Sequence, residues 1–308
     1  MQTVKLVAII LTLNEARHLT RCLGSLKGVA GHVLVADSFS SDETGRIAES
    51  HGARFVQHAF VNHATQFNWA LTQLDEDTHW VLRIDADEYL TPELAAEIRE
   101  RLSSMDPTVD GIFLSLRRIF QGRLLRFGGL FRIRILRLFR YGRGRCETRW
   151  MDECIKVAGQ TTTFRGALID DNLNSLTWWT DKHNRYASRE AVDLLNLKYG
   201  FLRVDRVASL ENRSQVSVKG WMKEQVYVRL PRGFRAFIYF FYRYVVRLGV
   251  LDGWAGTAFH VLQGFWYRYL VDAKVAEVER YMREHRCEVV EAIAAVLDIQ
   301  LEHPGAPS

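Results

Sequence analysis

Trp80-Val-Leu-Arg-Ile-Asp-Ala-Asp-Glu-Tyr-Leu90 (WVLRIDADEYL) runs from an apolar segment straight into three carboxylates, Asp85, Asp87 and Glu88. The apolar part reads as a buried strand. In an open α/β sheet, ligands meet the protein at the carboxyl ends of the strands, because the loops there form the crevice. Residues two apart on an extended backbone point to the same side. Asp85 and Asp87 therefore face one polyanionic ligand only with a cation between them, and a hard divalent ion, Mg2+ or Mn2+, bridges carboxylate to diphosphate. Taken alone, this spacing is more often an acidic turn before a helix.

The neighbouring segments give it a context. VKLVAIIL (Val4 to Leu11), HVLVADS (His32 to Ser38), ARFVQH (Ala53 to His58) and HWVLRID (His79 to Asp85) are short apolar or β-branched runs. They alternate with helix-like segments at Ala16 to Lys27, Asp42 to His51 and Ala64 to Leu74, the rhythm of a parallel α/β sheet. Thr91-Pro92-Glu93 has the form of an N-cap, a first-position proline and a first-turn acid, opening a helix to about Ser103. After Gly111, GIFLSLRRIF and LFRIRILRLFR alternate apolar and basic residues with period two, so the sheet continues there in mixed direction. From about Leu176 the chain turns helical, with one helix ending at Gly200. A less regular stretch follows, from Phe201 to Gln215.

Composition sets the outer bounds. The chain has 308 residues, 48% hydrophobic and 25% charged, which is a folded protein rather than a disordered tail. Cys22, Cys146, Cys154 and Cys287 have no zinc or disulfide spacing, and a reducing cytoplasm fits them. MQTVKLVAIILTLNEA lacks the basic start and cleavage site of a signal peptide and reads as a first strand. A net charge of +5 points to anionic partners. Eleven arginines fall between Arg117 and Arg149, and seven basic residues against one acid between Lys219 and Arg247, both mixed with apolar residues.

Two further strand ends carry acids. Thr12-Leu13-Asn14-Glu15 follows the first strand and Ala36-Asp37-Ser38-Phe39-Ser40-Ser41-Asp42-Glu43-Thr44 the second. Asp37 can accept from the imide N–H of uracil, and Glu15 from ribose hydroxyls or a base N–H. Glu15 and Asp42 also suit helix starts, but three acidic loops at one sheet edge are an improbable coincidence.

These blocks, TLNE, ADSFSSDET, Gln66-Phe-Asn68-Trp-Ala and DADE, in this order and spacing, resemble family 2 glycosyltransferases of the GT-A fold. The nearest resemblance is to the bacterial lipopolysaccharide-core and exopolysaccharide group that includes the WaaE-like glucosyltransferases. Where that group reads DSGSTDGT, Phe39 and Glu43 each replace a glycine. The resemblance implies that Asp37, with Ser38 beside it, and Glu15 hold base and ribose. It also implies that Asp85 serves the ribose or phosphate side, that Asp87 holds the metal on the diphosphate, and that Gln66 and Asn68 line the same pocket. Attack by a sugar hydroxyl on the anomeric carbon needs a base separate from these acids. Trp150-Met-Asp-Glu-Cys154 lies where relatives carry an acidic pair. Glu153 aligns with its second acid and is the expected base, with Asp152 as substitute. Such relatives invert at the anomeric centre in one displacement. Lys182, His183 and Arg185 read more simply as a solvated helix face.

The C-terminal part holds 15 of the 36 aromatic residues between Trp221 and Tyr269. Its longest uncharged run, Gly253 to Tyr267, has 15 residues, short of the ~20 a span requires. Basic, aromatic helices of this kind lie in the headgroup layer of an anionic bilayer, and DGWAG breaks the segment into a hairpin. A helical subdomain packed on the core is the plainer alternative.

The expectation is therefore an α/β protein of GT-A type, a mixed sheet flanked by helices, with residues 1–215 catalytic and 216–308 a helical, membrane-associating extension. It would be cytoplasmic, peripheral on the inner face of the cytoplasmic membrane. The donor would be a nucleotide sugar, most simply a UDP-sugar with Mg2+ or Mn2+, and the acceptor a lipid-linked glycan, lipopolysaccharide core or exopolysaccharide. A nucleic-acid-binding protein is the first alternative, but no RNA- or DNA-binding motif supports it and no nucleic-acid partner is expected. A sugar-nucleotidyltransferase is the second, and LTLNEARH lacks its glycines. A nicotinamide oxidoreductase is disfavoured by the lack of GxGxxG after any strand.

Overall fold

The computed structural model describes residues 4–131, 133–147, 155–201, 231 and 233–301. The chain forms two compact units, Met1–Asn174 and Ser175–Ser308. This division lies earlier than the expected one at residue 215. The reason is helix α5, Leu176–Tyr199, whose Ala191, Val192 and Leu195 share a buried cluster with Val275, Val278 and Ile293.

The first unit is built on a mixed sheet. Its strands are β1 (Leu6–Thr12), β2 (His32–Asp37), β3 (Arg54–Gln57), β4 (Trp80–Asp85), β5 (Glu88–Leu90), β6 (Val109–Phe120), β7 (Arg123–Leu124), β8 (Ile133–Arg140) and β11 (Gln160–Asp171), in the order β3-β2-β1-β4-β8-β6-β11-β5 with β7 beside β6. Strands β9 (Gly144–Cys146) and β10 (Ile155–Val157) form a separate antiparallel pair. β1, β2, β3 and β4 run parallel, β8 is antiparallel to β4 and β6, and β11 is parallel to β6.

The unbroken apolar run of β1 follows from burial on both faces. Leu6, Ala8 and Ile10 enter one cluster with Leu19, Cys22, Leu23 and Leu26 of α1 (Ala16–Leu26) and Leu94 and Ile98 of α4 (Pro92–Arg101). Val7 and Ile9 enter the opposite one with Ala64, Phe67 and Ala70 of α3 (His63–Thr72). Helix α2 (Thr44–Ser50) adds Ala48 to the first cluster. Each fully buried aliphatic or aromatic side chain contributes about 1.5–3 kcal/mol, so the two clusters outweigh any local propensity.

Helix α4 starts as its sequence predicts. The Thr91 side chain accepts from the Leu94 N–H, with Pro92 next and Glu93 in the first turn. The helix rests directly on β11 at Gly166, where a β-carbon would come within 2.3 Å of Leu94 Cα. The register of β11 against β6 shifts between Thr163 and Ala167, and Glu97 Oε2 accepts the N–H groups of Arg165 and Gly166 within that bulge.

In the second unit, α5 begins at a Ser175 cap and stops at Gly200, whose φ of 71° closes the helix as expected. Helix Phe234–Phe241 continues as a π-helical turn through Val246. The chain then bends through Leu248 to Asp252, and an unbroken helix runs from Gly253 to His285 with a π-helical stretch at His260–Trp266. The break thus precedes most of DGWAG. Two glycines allow the tight packing: a β-carbon on Gly249 would lie 2.4 Å from His260 Nε2, and one on Gly256 2.2 Å from Asp252 Cβ. Arg235 and Asp272 form a buried ion pair, with the Gly233 N–H also donating to Asp272.

His260 is fully buried, and neither ring nitrogen has a hydrogen-bond partner. Burial, with the charge of Arg243 adding to it, pushes the imidazole down to about 4. The folded state therefore binds fewer protons than the unfolded state below about pH 6.5, and stability falls as pH drops through that window towards 4. The loss is at most about 3 kcal/mol. His260→Leu is expected to flatten this part of the urea-midpoint profile between pH 7 and 4.5.

Candidate functional site

The parallel strands stand in the order β3-β2-β1-β4, so the chain leaves β1 towards β2 and β3 and returns past it to β4. In open α/β sheets such a reversal is the point where the loops at the carboxyl ends diverge and ligands bind, here the ends of β1 and β4. Thr12 of β1 is the register partner of Asp37 of β2, and Leu11 is the partner of Asp85 of β4. The three acidic loops found in the sequence therefore emerge along one edge, and Glu15, Asp37, Asp85 and Asp87 are brought together.

The β1 and β2 loops are braced against each other. Ser40 Oγ accepts from the Asn14 N–H at 2.7 Å, and Asn14 Oδ1 accepts from the Ser41 N–H at 2.9 Å. Asp42 accepts from the Ala16 and Thr44 N–H groups, and Thr44 Oγ1 accepts from the Glu15 N–H. Burial opposes ionisation of Asp42, but the bonds from Thr44 and Ala16 hold it below its ordinary value. Asp37 is fully buried and takes Thr12 Oγ1 at 2.8 Å, the Ser40 N–H at 2.7 Å and hydroxyl, and the Gln57 side-chain amide at 3.2 Å. The Gln57 bond is the longest of these and comes from an exposed residue.

At the β4 end, Arg137 of β8 reaches both neighbouring acids, Asp85 Oδ2 at 2.7 Å and Glu88 Oε1 at 2.9 Å. Arg83 lies beyond, 3.9 Å from Asp85 Oδ1. Burial works against a charge on Asp85, but the guanidinium of Arg137 and then that of Arg83 hold its carboxyl well below the carboxylate range. Glu88 is shifted the other way, raised by burial and by the Asp85 charge against the pull of Arg137. One arginine shared between two carboxylates leaves the first ionised and disfavours charge on the second.

Asp87 is tied differently. Asn172, just past β11, donates to Asp87 Oδ2 at 2.9 Å, and the Asp171 N–H donates to the Asp87 carbonyl. Helix α1 fixes this segment from below. Arg21 binds the Asp171 carboxylate and carbonyl, Arg17 donates to Leu173 O at 2.9 Å, and the Leu173 N–H donates to His18 Nε2 at 2.9 Å. Since Nε2 accepts, the His18 ring proton sits on Nδ1, which meets Glu15 Oε2 at 2.6 Å. Glu15 and Asp87, from different loops, are thus joined through His18, Leu173 and Asn172. No local sequence signal marks Arg17, His18, Arg21, Arg137 or Asn172 as members of this edge, because their partners come from distant segments.

Gln66 is buried, accepts from His58 Nδ1 at 2.8 Å and donates to Ser38 Oγ at 3.3 Å, which supports the β2 loop from behind. Asn68, expected to line the same pocket, is half-buried and bonded to backbone. Its amide donates to the Cys146 carbonyl and accepts from the Cys146 N–H, both at 2.9 Å, making it a strut between α3 and β9. Asp152 and Glu153 lie outside the described residues. Several arginines of the basic strands are also internal: Arg118 pairs with Asp170, and Arg140 stacks on Trp80 while donating to Val109 O.

The donor set at this edge suits a hard cation that keeps its waters and the ligand's own oxygens. A single half-exposed carboxylate, Asp87, oriented by Asn172 meets that need, whereas Asp85 is engaged by arginine. Among the described residues no group of three or more histidines, cysteines or acids is placed to form a complete metal cage.

Known proteins give the same class. The family model described as "Glycosyl transferase family 2" matches residues 7–169, and the chain belongs to that family, with the mixed, helix-flanked sheet of the GT-A fold. It is similar to the lipopolysaccharide core biosynthesis glycosyltransferase LpsC of Rhizobium meliloti (strain 1021), 32% identical over 193 residues that cover 60% of this chain and 70% of that one. It is also similar to an uncharacterized glycosyltransferase of Rickettsia bellii (strain RML369-C), 41% identical over 34% of this chain and 35% of the relative. The chain spans about a third of the length of the rickettsial relatives it matches. Among solved structures, glucosyl-3-phosphoglycerate synthase from Mycobacterium tuberculosis, in complex with Mn2+, UDP and glucosyl-3-phosphoglycerate, aligns at TM-score 0.32 and 17% identity over 37% of this chain and 45% of that one.

Proposed function

We propose that the protein transfers a sugar from a nucleotide sugar, a UDP-sugar in the simplest case, to a hydroxyl of a lipid-linked glycan or lipopolysaccharide core, with inversion at the anomeric carbon. The observation that carries this reading is the register of β1 with both neighbours, which sets Asp37, Asp85 and the loop of Glu15 on one edge. A base imide N–H takes the place of the Gln57 amide on Asp37, while Glu15, oriented by His18, accepts from the ribose. Asp87, held by Asn172, is the residue for a divalent cation, Mg2+ or Mn2+, which when bound neutralises charge on the departing diphosphate. Arg137 and Arg83 keep Asp85 ionised beside it.

The transfer needs one displacement. The acceptor oxygen forms its bond to the anomeric carbon as the bond to the diphosphate breaks, the electron pair leaves with the nucleotide, and the acceptor proton passes to Glu153, with Asp152 as substitute. Asn68 supports this step indirectly by anchoring Cys146, six residues before Asp152 and seven before Glu153.

The acceptor side is proposed to be a membrane. Between Phe234 and Val261 the second unit exposes Phe234, Phe237, Phe241, Leu248, Leu251 and Trp254, the last 80% exposed, with Arg247 also exposed among them. Apolar surface on this scale beside basic residues suits the headgroup layer of an anionic bilayer. Among the described residues no helix is long and apolar enough to cross a membrane. The reading therefore has the protein peripheral on the cytoplasmic face, where it shares a surface with its acceptor.

Two measurements test it. Thermal unfolding with UDP-, GDP-, CMP- or dTDP-sugars, with and without Mn2+, is expected to show metal-dependent stabilisation by one nucleotide class. Sedimentation with phosphatidylglycerol vesicles is expected to carry the protein down, and phosphatidylcholine vesicles much less. No nucleotide effect would reject the donor site, and no vesicle binding the membrane assignment.

A further inference from the structure

Phe39 sits where two separate costs meet. Its φ is 61°, in the left-handed region that residues with a β-carbon adopt under strain, and its side chain is 60% exposed. It lies two residues beyond Asp37, at the carboxyl end of β2. Asn14, in the facing β1 loop, has φ 57°, and Leu13 beside it is 54% exposed. The loops hold these conformations because they are cross-braced: Asp37 ties both the N–H and hydroxyl of Ser40, while Asn14 ties Ser40 and Ser41. Strain of this kind persists where the surroundings over-determine it, and it concentrates at ligand sites.

We infer that Phe39 is the stacking platform for the nucleobase of the donor, and that the strained β2 loop exists to present this flat apolar ring next to the carboxylate that reads the base edge. The inference rests on the donor-site reading above. Asp37 is fully buried within its loop, so a base that takes over the Gln57 bond on Asp37 comes close to the β2 backbone. A planar heterocycle held by its edge gains most from an aromatic face alongside, and a base stacked on an aromatic side chain contributes affinity whatever its identity. Edge recognition by Asp37 then supplies the choice of base, and Phe39 supplies strength.

Glycine at this position separates the role from a structural one, because the two make opposite demands. Phe39→Gly relieves the left-handed strain, so the variant is expected to melt at or above the wild-type temperature. Its affinity for UDP in the presence of Mn2+ should nonetheless fall about tenfold, while its affinity for inorganic pyrophosphate with Mn2+ stays unchanged. Phe39→Trp, which keeps the aromatic face, should bind UDP within about twofold of wild type. Calorimetric titration of the three full-length proteins with UDP and with pyrophosphate reads all of this. Equal UDP affinity in wild type and Phe39→Gly overturns the stacking role and leaves the donor site standing. An equal loss for UDP and pyrophosphate also overturns it, since the loop rather than the ring would then matter. A wild-type protein that binds neither would remove the donor site and this inference together.

Discussion

Asp87→Asn is expected to lower sugar transfer about a thousandfold while leaving the urea midpoint of the protein unchanged. The side chain is half-buried at the sheet edge rather than in a cluster, and an asparagine can still accept the hydrogen bond from Asn172. What it cannot supply is the negative charge that the proposed role of Asp87 requires to fix a cation on the diphosphate. The neighbouring Asn172→Ala separates charge from orientation. It leaves the carboxylate but removes its tether, and outer-sphere partners of this kind contribute about 10–100-fold to metal affinity. Activity of Asn172→Ala should therefore recover at high Mn2+, and that of Asp87→Asn should not. Initial rates against Mn2+ concentration distinguish the two, and full activity of Asp87→Asn at low Mn2+ would disprove the assignment.

Arg137→Met should be among the most destabilising single changes in the first unit. Its side chain is 11% exposed and is shared by Asp85 and Glu88. Methionine keeps the length but leaves the buried Glu88 without its guanidinium and Asp85 with only Arg83, at 3.9 Å. Breaking a fully buried pair costs about 3–5 kcal/mol, and the partial exposure of Asp85 and the second arginine set the expectation at the lower end of that range. Glu88→Gln should behave in the opposite manner. Burial and the Asp85 charge raise the Glu88 carboxyl, so the folded state binds more protons than the unfolded state above about pH 4.3, and stability falls as pH rises from there into the neutral range. Removing the acid removes that decline. Asp85 has the other sign: its depressed value stabilises the fold above about pH 3.9, and the benefit disappears in acid. Urea midpoints between pH 3 and 8 for wild type and both variants resolve these contributions. A midpoint for Arg137→Met close to wild type would show that the guanidinium is dispensable.

Most of the first ninety residues could be read from local pattern. β1, β2, β3 and β4, with the helices between them, lie within a few residues of their expected places because strand burial and helix periodicity are both visible along the chain. The same holds for the Thr91 cap and the stop at Gly200. β11 was not anticipated. QTTTFRGALIDD mixes polar residues, a glycine and an acid pair, and it is a strand because β6 and α4 cover it, which is a property of distant residues. Missing β11 also hid Asn172. Arg137 was visible as part of a basic strand, but its partners lie 49 and 52 positions away. Only the antiparallel pairing of β8 with β4 brings it to Asp85. Asn68 is the reverse case: a polar residue picked from its helix whose bond to the Cys146 backbone was not visible along the chain, because that partner lies 78 positions away.

The bulge in β11 acts as a phase setter. Between the pairs Thr163–Phe113 and Ala167–Ser115, β11 advances four residues while β6 advances two, and Glu97 captures the surplus amides. A slack of two preserves parity, so Phe164 and Leu168 stay on the same side of the strand and in the same cluster. A slack of one would exchange odd for even down the rest of the strand, turning Asp170 from Arg118 and offering Asp87 a carboxylate in place of the amide of Asn172. The environment of Asp87 thus takes its polarity from a count of residues made some fifteen ångströms or more of extended chain earlier.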